Sequence, residues 1–308
     1  MTETALWSIV KGIANTILVL AAAPFFEGLI RKVTARIQSR QGPPLWQPYL
    51  DILKLLGKED IESGESPRVQ RLGAYLSLAG VLTLAWFVPM GASAPLVQAG
   101  DAIVVIYLLT LCGVSTLLAG LAAGSTYSVV GVSREMMAML TLEPLLAVAV
   151  IIGAVEAGSL RLDGILEASI YSLTAWPLAG LLMMVILLFS LQAFVGRVPF
   201  DIAEAETEVM EGPLMEYSGP KLGLFKYAQM SKLFVYCALI VGLFFPWGSD
   251  WPYPLALMAL LAKIAVLVLL VTVVGATHAR YRIDQAIRYY ATLFVLSLVA
   301  LTLALAGF

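Results

Sequence analysis

Long apolar runs decide the class of this chain before any motif does. Eight segments, at about 7–30, 72–90, 102–123, 136–156, 176–195, 227–247, 254–277 and 287–308, are nearly free of charge. Each meets the length of about 17–25 residues that a helix needs to cross a bilayer. Strands of a membrane barrel would instead run about 9–11 residues in strict alternation. The 308 residues are 60% hydrophobic and only 13% charged, against roughly 25% charged in an average soluble domain. Such a chain cannot coat a soluble core with polar groups. The sequence therefore predicts an all-α polytopic membrane protein: a tilted bundle of about eight transmembrane helices in one integral domain over 1–308. Long cytoplasmic loops are expected at about 31–71 and 196–226. Soluble enzymes, disulfide scaffolds and disordered chains are excluded. The first apolar run is too long for a signal-peptide core and its bases follow it, so it reads as a span.

Basic residues sort the connections into two sets. Arg31, Lys32, Arg36, Arg40, Lys54, Lys58, Arg68 and Arg71 follow the first span. Arg134 follows the third, Arg197, Lys221 and Lys226 the fifth, and Arg280, Arg282 and Arg288 the seventh. The opposite loops hold only Arg161. Because positive loops stay in the cytoplasm, both termini are expected to face outward. Trp46, Trp86, Trp176, Trp247 and Trp251 fall near span ends, as interfacial anchors do.

There is one histidine, His278, and two cysteines, Cys112 and Cys237, both in apolar runs. Haem, iron–sulfur and zinc sites need more ligands than these, so no cofactor is expected in this chain. A net charge of −2 gives no nucleic-acid footprint.

Ionisable groups inside a span are costly and ask for a reason. Glu143, followed by Pro144, sits about two turns into the fourth segment. It reads as a proton-relay carboxyl or as half of an interhelical ion pair. Glu27, one turn before Arg31, reads as a relay group or as a paired interfacial carboxylate. Lys263, near the middle of the seventh span, must face the protein interior to meet a carboxylate or relay protons. Lys11 and Lys232 also lie in or near spans.

The densest signal follows the fifth span. Asp201, Glu204, Glu206, Glu208, Glu211 and Glu216 put six carboxylates in sixteen residues with no intervening base. Asp201 is expected to cap a helix running to Glu211, with Glu204 closing a capping box. Glu204, Glu208 and Glu211 would then share one face. Packed together, such groups cannot all ionise; they would form a proton entry path or meet a basic partner. In the first loop, residues 46–59 read as an amphipathic surface helix with Trp46, Tyr49, Leu50, Leu53 and Leu56 on its apolar side. The basic segment Arg36–Arg40 and the turn Gln41-Gly42-Pro43 precede it.

These two stretches carry a family resemblance. Arg40-Gln41-Gly42-Pro43, then Asp51-Ile52-Leu53-Lys54-Leu55-Leu56, then Pro199-Phe200-Asp201 with Glu204, Glu206, Glu208 and Glu216-Tyr217-Ser218-Gly219, resemble the H-type (subunit-1) family of respiratory complex I. That family's relatives include the membrane anchors of energy-converting [NiFe] hydrogenases. Glu211-Gly212-Pro213-Leu214-Met215 is similar to the formate-hydrogenlyase type rather than to the complex I pattern.

The resemblance implies an anchor and coupling subunit that links electron transfer in a cytoplasmic arm to proton or sodium translocation. Its implied partners are hydrogenase-like large and small subunits, which would hold the [NiFe] centre and the iron–sulfur clusters, and antiporter-like membrane subunits in a prokaryotic cytoplasmic membrane. It assigns coupling to Glu143, Asp201, Glu204, Glu206, Glu208, Glu211, Glu216, Glu27 and Lys263. Docking of the arm would fall to Arg36, Arg40, Gln41, Gly42, Pro43 and Arg134. The alternative is a quinone-site subunit of a complex I-like NADH or ferredoxin dehydrogenase, or of a sulfur-reducing complex. A stand-alone transporter would show broken helices and inverted repeats at mid-membrane, whereas the carboxylates here crowd the cytoplasmic side.

Overall fold

In the computed structural model, residues 3–61, 66–96, 100–166, 178–249 and 251–307 are described, and the side chains of residues 3–5, 206 and 207 are not. The expected anchor Trp176 and the start of the fifth segment lie outside the described residues. Among the described residues the secondary structure is helical, apart from one isolated bridge between Asp101 and Arg161. Its elements are α1 Glu3–Ile37, α2 Gln47–Leu56, α3 Pro67–Leu84, α4 Ala102–Ala123, α5 Thr126–Ala157 and α6 Leu162–Leu166. Then come α7 Leu178–Phe194, α8 Glu206–Val209, a 3₁₀ turn at Gly212–Leu214, α9 Gly219–Phe244, α10 Tyr253–Thr277 and α11 Ile283–Leu305.

Each of the eight apolar segments coincides with a helix. Six, namely α1, α4, α5, α9, α10 and α11, are long and apolar enough to cross a membrane. The other two are α3, with 18 residues, and α7, with 17. This is a multi-pass membrane protein.

The helices run between two ends. At one end Lys11 Nζ donates to Ser93 Oγ at 2.9 Å and Ala102 N–H to Leu160 O at 2.8 Å. The other end holds the acidic loop, α2 and the α10–α11 connection. The described start of α1 and end of α11 lie away from the acidic loop. Helix α9 is the axis: it packs against α1, α2, α3, α7 and α10, and most of its length is buried. Apolar side chains such as Ile13, Tyr107, Phe189, Val266 and Val295 stay exposed on the periphery, the arrangement that a lipid solvent requires.

Helices α5 and α9 start well before their hydropathy indicates, by about ten and eight residues. Helix α5 begins at Thr126, not near 136, because Gly124 takes a left-handed φ of 70° and ends α4 at once. Arg134 and Glu135 are therefore inside a helix rather than in a loop, and Glu143 lies about 26 Å along it by helix rise. Helix α9 begins at Gly219, which brings Lys221 and Lys226 into it. Charged residues with good helix propensity extend a helix past its apolar core.

Helix α2 confirms the amphipathic reading. Pro48 and Ile52 are buried on the protein, while Trp46, Leu50, Leu53 and Leu56 remain exposed. Arg31 Nη1 donates to Asp51 Oδ2 at 2.7 Å and ties α2 to α1.

A carboxylate-lined cavity beneath the acidic loop

The expected helix over 201–211 does not form. Only Glu206–Val209 is helical, after an extended Ala205 that makes no side-chain cap. The Asp201 Oδ2 accepts from Arg280 Nη2 at 2.9 Å, and the short helix begins only at Glu206, five residues on. Met210 at φ 58° and Gly212 at φ 53° break the chain direction twice. A helix would have aligned three glutamates at a cost of a few tenths of a kcal/mol per pair, and ion pairs outside the loop separate them instead. Arg134 Nη1 takes Glu208 Oε2 at 2.5 Å and also meets Ile202 O at 3.4 Å. Arg134 therefore ties the loop to α5.

The loop is pressed onto the bundle by close backbone approach. A Cβ on Gly131 of α5 would stand 2.7 Å from Gly212 Cα, and one on Gly212 would stand 2.0 Å from Ala203 O. Ser128 Oγ donates to Pro213 O at 3.2 Å, and Tyr217 OH to Ala119 O at 2.8 Å.

Beneath the loop lies a cavity of about 370 Å³. Its charged lining is Glu27 and Arg31 from α1, Glu135 and Glu143 from α5, Arg197, Asp201 and Glu204 from the loop, and Lys226 and Lys232 from α9. Of the carboxylates assigned to coupling by sequence, Glu27, Glu143, Asp201 and Glu204 are brought together here. Glu208, Glu211 and Glu216 are not among the lining residues, and the side chain of Glu206 lies outside the described residues.

Within the cavity, Glu27 is 5% exposed and is gripped by Arg197, with Arg31 Nε at 3.4 Å. Glu204 accepts from Gln229 of α9. Burial pushes the Glu204 carboxyl above the ordinary carboxylate range; Lys226 offsets part of this, and the charges of Asp201 and Glu135 add to it. Lys232 stands within electrostatic reach of Glu135 and Glu143, its Nζ 5.6 Å from the Tyr236 ring centroid. The arrangement is a mixed set of acids and bases in a partly dry space, where neighbouring groups titrate together.

Glu135, Lys226, Gln229, Lys232 and Tyr236 were missed as site members by sequence reasoning. The signal for the α9 group was present: Lys226, Gln229, Lys232 and Tyr236 recur at spacings of three and four, one stripe of a helix. It was cut because the apolar run begins one residue after Lys226.

Lys263 lies elsewhere. Its Nζ donates to Phe245 O at 2.7 Å and to Trp247 O, and sits 4.1 Å from the Trp247 ring centroid. It caps the C-terminal end of α9, at the end away from the acidic loop, and meets no carboxylate among the described residues. Lys263→Met is expected to cost about 1.5–3 kcal/mol of stability from the charged hydrogen bonds while ion coupling stays intact. Thermal unfolding in detergent, set beside vesicle assays, checks both. At the loop end, Arg36, Arg40 and Gln41 are exposed, whereas Gly42 is turned back against α1, where a Cβ would meet Lys32 Cα at 3.0 Å. Among the described residues no group of three or more His, Cys, Asp or Glu is arranged to hold a metal.

Comparison with known proteins follows the same lines. The family model described as NADH dehydrogenase matches residues 10–305. Formate hydrogenlyase subunit 4 of Escherichia coli (strain K12) is 34% identical over 90% of this chain and 92% of its own length. NADH-ubiquinone oxidoreductase chain 1 of Salmo salar is 30% identical over 99% of this chain and 94% of its own. Among solved structures, a chain of the membrane-bound sulfane sulfur reductase, an archaeal respiratory membrane complex, superposes with a TM-score of 0.85. It is 28% identical, with coverage of 96% of this chain and 99% of that one. This chain belongs to the NADH dehydrogenase family of membrane subunits, which joins the subunit-1 proteins of complex I with the membrane subunits of energy-converting [NiFe] hydrogenases.

Proposed function

We propose that this chain is the membrane anchor and coupling subunit of an energy-converting [NiFe]-hydrogenase complex, in which redox events in a cytoplasmic arm drive proton or sodium movement. The observation that carries the reading is the cavity, where the loop carboxylates Asp201 and Glu204 join the intramembrane Glu27, Glu135 and Glu143 in one space. Electron transfer in the arm changes the charge above the loop. A coupled set of acids and bases answers such a change by exchanging protons.

On this reading all eight long helices cross a prokaryotic cytoplasmic membrane, α3 and α7 included. The acidic loop and α2 face the cytoplasm, and both termini face outward. The arm, with hydrogenase-like large and small subunits carrying the [NiFe] and iron–sulfur centres, docks on Arg36, Arg40, Gln41 and the acidic loop. Antiporter-like subunits pack on the lipid-facing sides. Glu206, Glu208, Glu211 and Glu216 supply the outer part of the acidic path.

The test uses the assembled complex in membrane vesicles, with ion uptake measured per electron transferred. Glu143→Gln and Glu204→Gln are each expected to lower that ratio at least tenfold while electron transfer continues. Unchanged ratios in both variants overturn the assignment.

A second reading, a quinone-site subunit, draws on the cavity's size. About 370 Å³ lies within the range of small-molecule pockets, about 300–1,000 Å³. The charge of its walls favours ions and water over an apolar ring. Paired Cys-x-x-Cys motifs in the large partner subunit would decide for the hydrogenase reading.

A further inference from the structure

Three consecutive residues at the start of the acidic loop are held by the connection from α10 to α11 and the first turns of α11. Pro199 O accepts from Tyr281 N–H at 2.9 Å. The Phe200 ring, 7% exposed, lies among Tyr281, Tyr289 and Tyr290 at centroid distances of 5.3, 4.9 and 5.4 Å. The Asp201 carboxylate takes Arg280 Nη2 at 2.9 Å, both side chains being about a quarter exposed or less. Backbone, ring and charge are each engaged, so this stretch is seated rather than resting on the bundle. Asp201 and Tyr290 both line the cavity, and Glu204 reaches its Gln229 partner only three residues further on.

We propose that Arg280 is a positioning residue for ion coupling: from the α10–α11 connection it fixes Asp201 in the cavity wall and thereby sets where Glu204 meets Gln229 of α9. The inference rests on the coupling role assigned to this cavity above. Arg280 is well suited to the task. Its planar fork holds a carboxylate in a defined orientation, and its charge persists at any working pH. The Asp201 charge acts on both Glu204 and Glu135, so the place where Arg280 holds it bears on both. Without Arg280, Asp201 would lose this guanidinium, and the start of the loop would keep the Tyr281 N–H to Pro199 O bond and the ring contacts of Phe200. The connection also links the loop to the rest of the membrane subunit, because α11 packs along α5, which carries Glu135 and Glu143, and along α7. Tyr289 OH donates to Phe189 O of α7 at 3.1 Å and fixes the wall of the ring cluster.

The test compares Arg280→Gln, Arg280→Lys, Asp201→Asn and the double variant Arg280→Gln/Asp201→Asn in the whole complex. Ions taken up per electron transferred are measured in vesicles with a pH-sensitive dye and with radioactive sodium. This ratio does not depend on how much complex assembles, so a change in yield alone leaves it untouched. Arg280→Gln is expected to lower the ratio at least threefold, Arg280→Lys to keep most of it, and the double variant to fall no lower than Asp201→Asn alone. A ratio in Arg280→Gln equal to the unaltered complex overturns the proposal, and so does a double variant whose losses multiply. Should Arg280→Gln fail to assemble, Arg280→Lys and Asp201→Asn decide it, since equal and unchanged ratios in both refute the tie. Glu204→Gln in the same assay separates the two levels. If Glu204→Gln lowers the ratio and Arg280→Gln does not, positioning by Arg280 is wrong and the cavity assignment stands. If neither does, the cavity assignment itself fails.

Discussion

Arg197→Ala is expected to destabilise the subunit by about 3–5 kcal/mol, the usual result of removing one partner of a buried ion pair. Glu27 is 5% exposed and takes its main contact from Arg197. Arg31 remains at 3.4 Å but is also committed to Asp51 at 2.7 Å, so it cannot replace the lost guanidinium. A buried carboxylate that loses its main counter-charge is penalised. The measurement is thermal unfolding of the detergent-solubilised subunit together with its abundance in the membrane. Adding Glu27→Gln to Arg197→Ala should recover part of the loss, because a neutral amide costs less to bury than an unpaired charge. If Arg197→Ala alone matches the unaltered protein, Glu27 is better solvated than its burial indicates.

The second large effect is expected at Gly212. Its φ is 53°, and a Cβ would lie 2.0 Å from Ala203 O, within the same loop. Gly212→Ala therefore meets two penalties: about 1–2 kcal/mol for a left-handed backbone in a residue with a Cβ, and about 1–3 kcal/mol for overpacking. Neither can be relieved by rotating a side chain, since the obstacle is backbone. The loop should lift from α5, where Gly131 makes the matching close approach, and the Arg134–Glu208 pair should open. Limited proteolysis at the acidic loop reads this out: faster cleavage is expected in Gly212→Ala, whereas an unchanged rate together with unchanged stability would show that the loop has room to shift.

Much of the fold was legible because lipid simplifies the code. A span has to be apolar over its whole length whichever neighbours it meets, so hydropathy located all eight long helices. The surface helix was legible for a similar reason: Trp46, Leu50, Leu53 and Leu56 recur at helical spacing and stay exposed in the structure. What hydropathy could not show was where helices continue beyond their apolar core. Arg134 and Glu135 belong to α5, and Lys226 belongs to α9.

The acidic loop marks the other boundary. Six clustered carboxylates pointed to a stretch of chain that lies over the cavity, and local helix rules misjudged its shape. Capping boxes and i, i+4 faces describe a segment that answers only to itself. Here Asp201 answers to Arg280, Glu208 to Arg134, Glu204 to Gln229, and Gly212 to the backbone of α5. The three side-chain partners lie from 25 to 79 positions away along the chain.

By itself the sequence determined the class of this protein, its apolar helices, the sorting of its basic residues, and the stretch where its acids gather. Each of these follows from what a bilayer tolerates residue by residue. Only the tertiary structure decided which acids share a space. Burial and ion pairing depend on groups brought close by packing, and here that packing turns Glu27, Glu135, Glu143, Asp201 and Glu204 toward one cavity while drawing Glu208 out to Arg134.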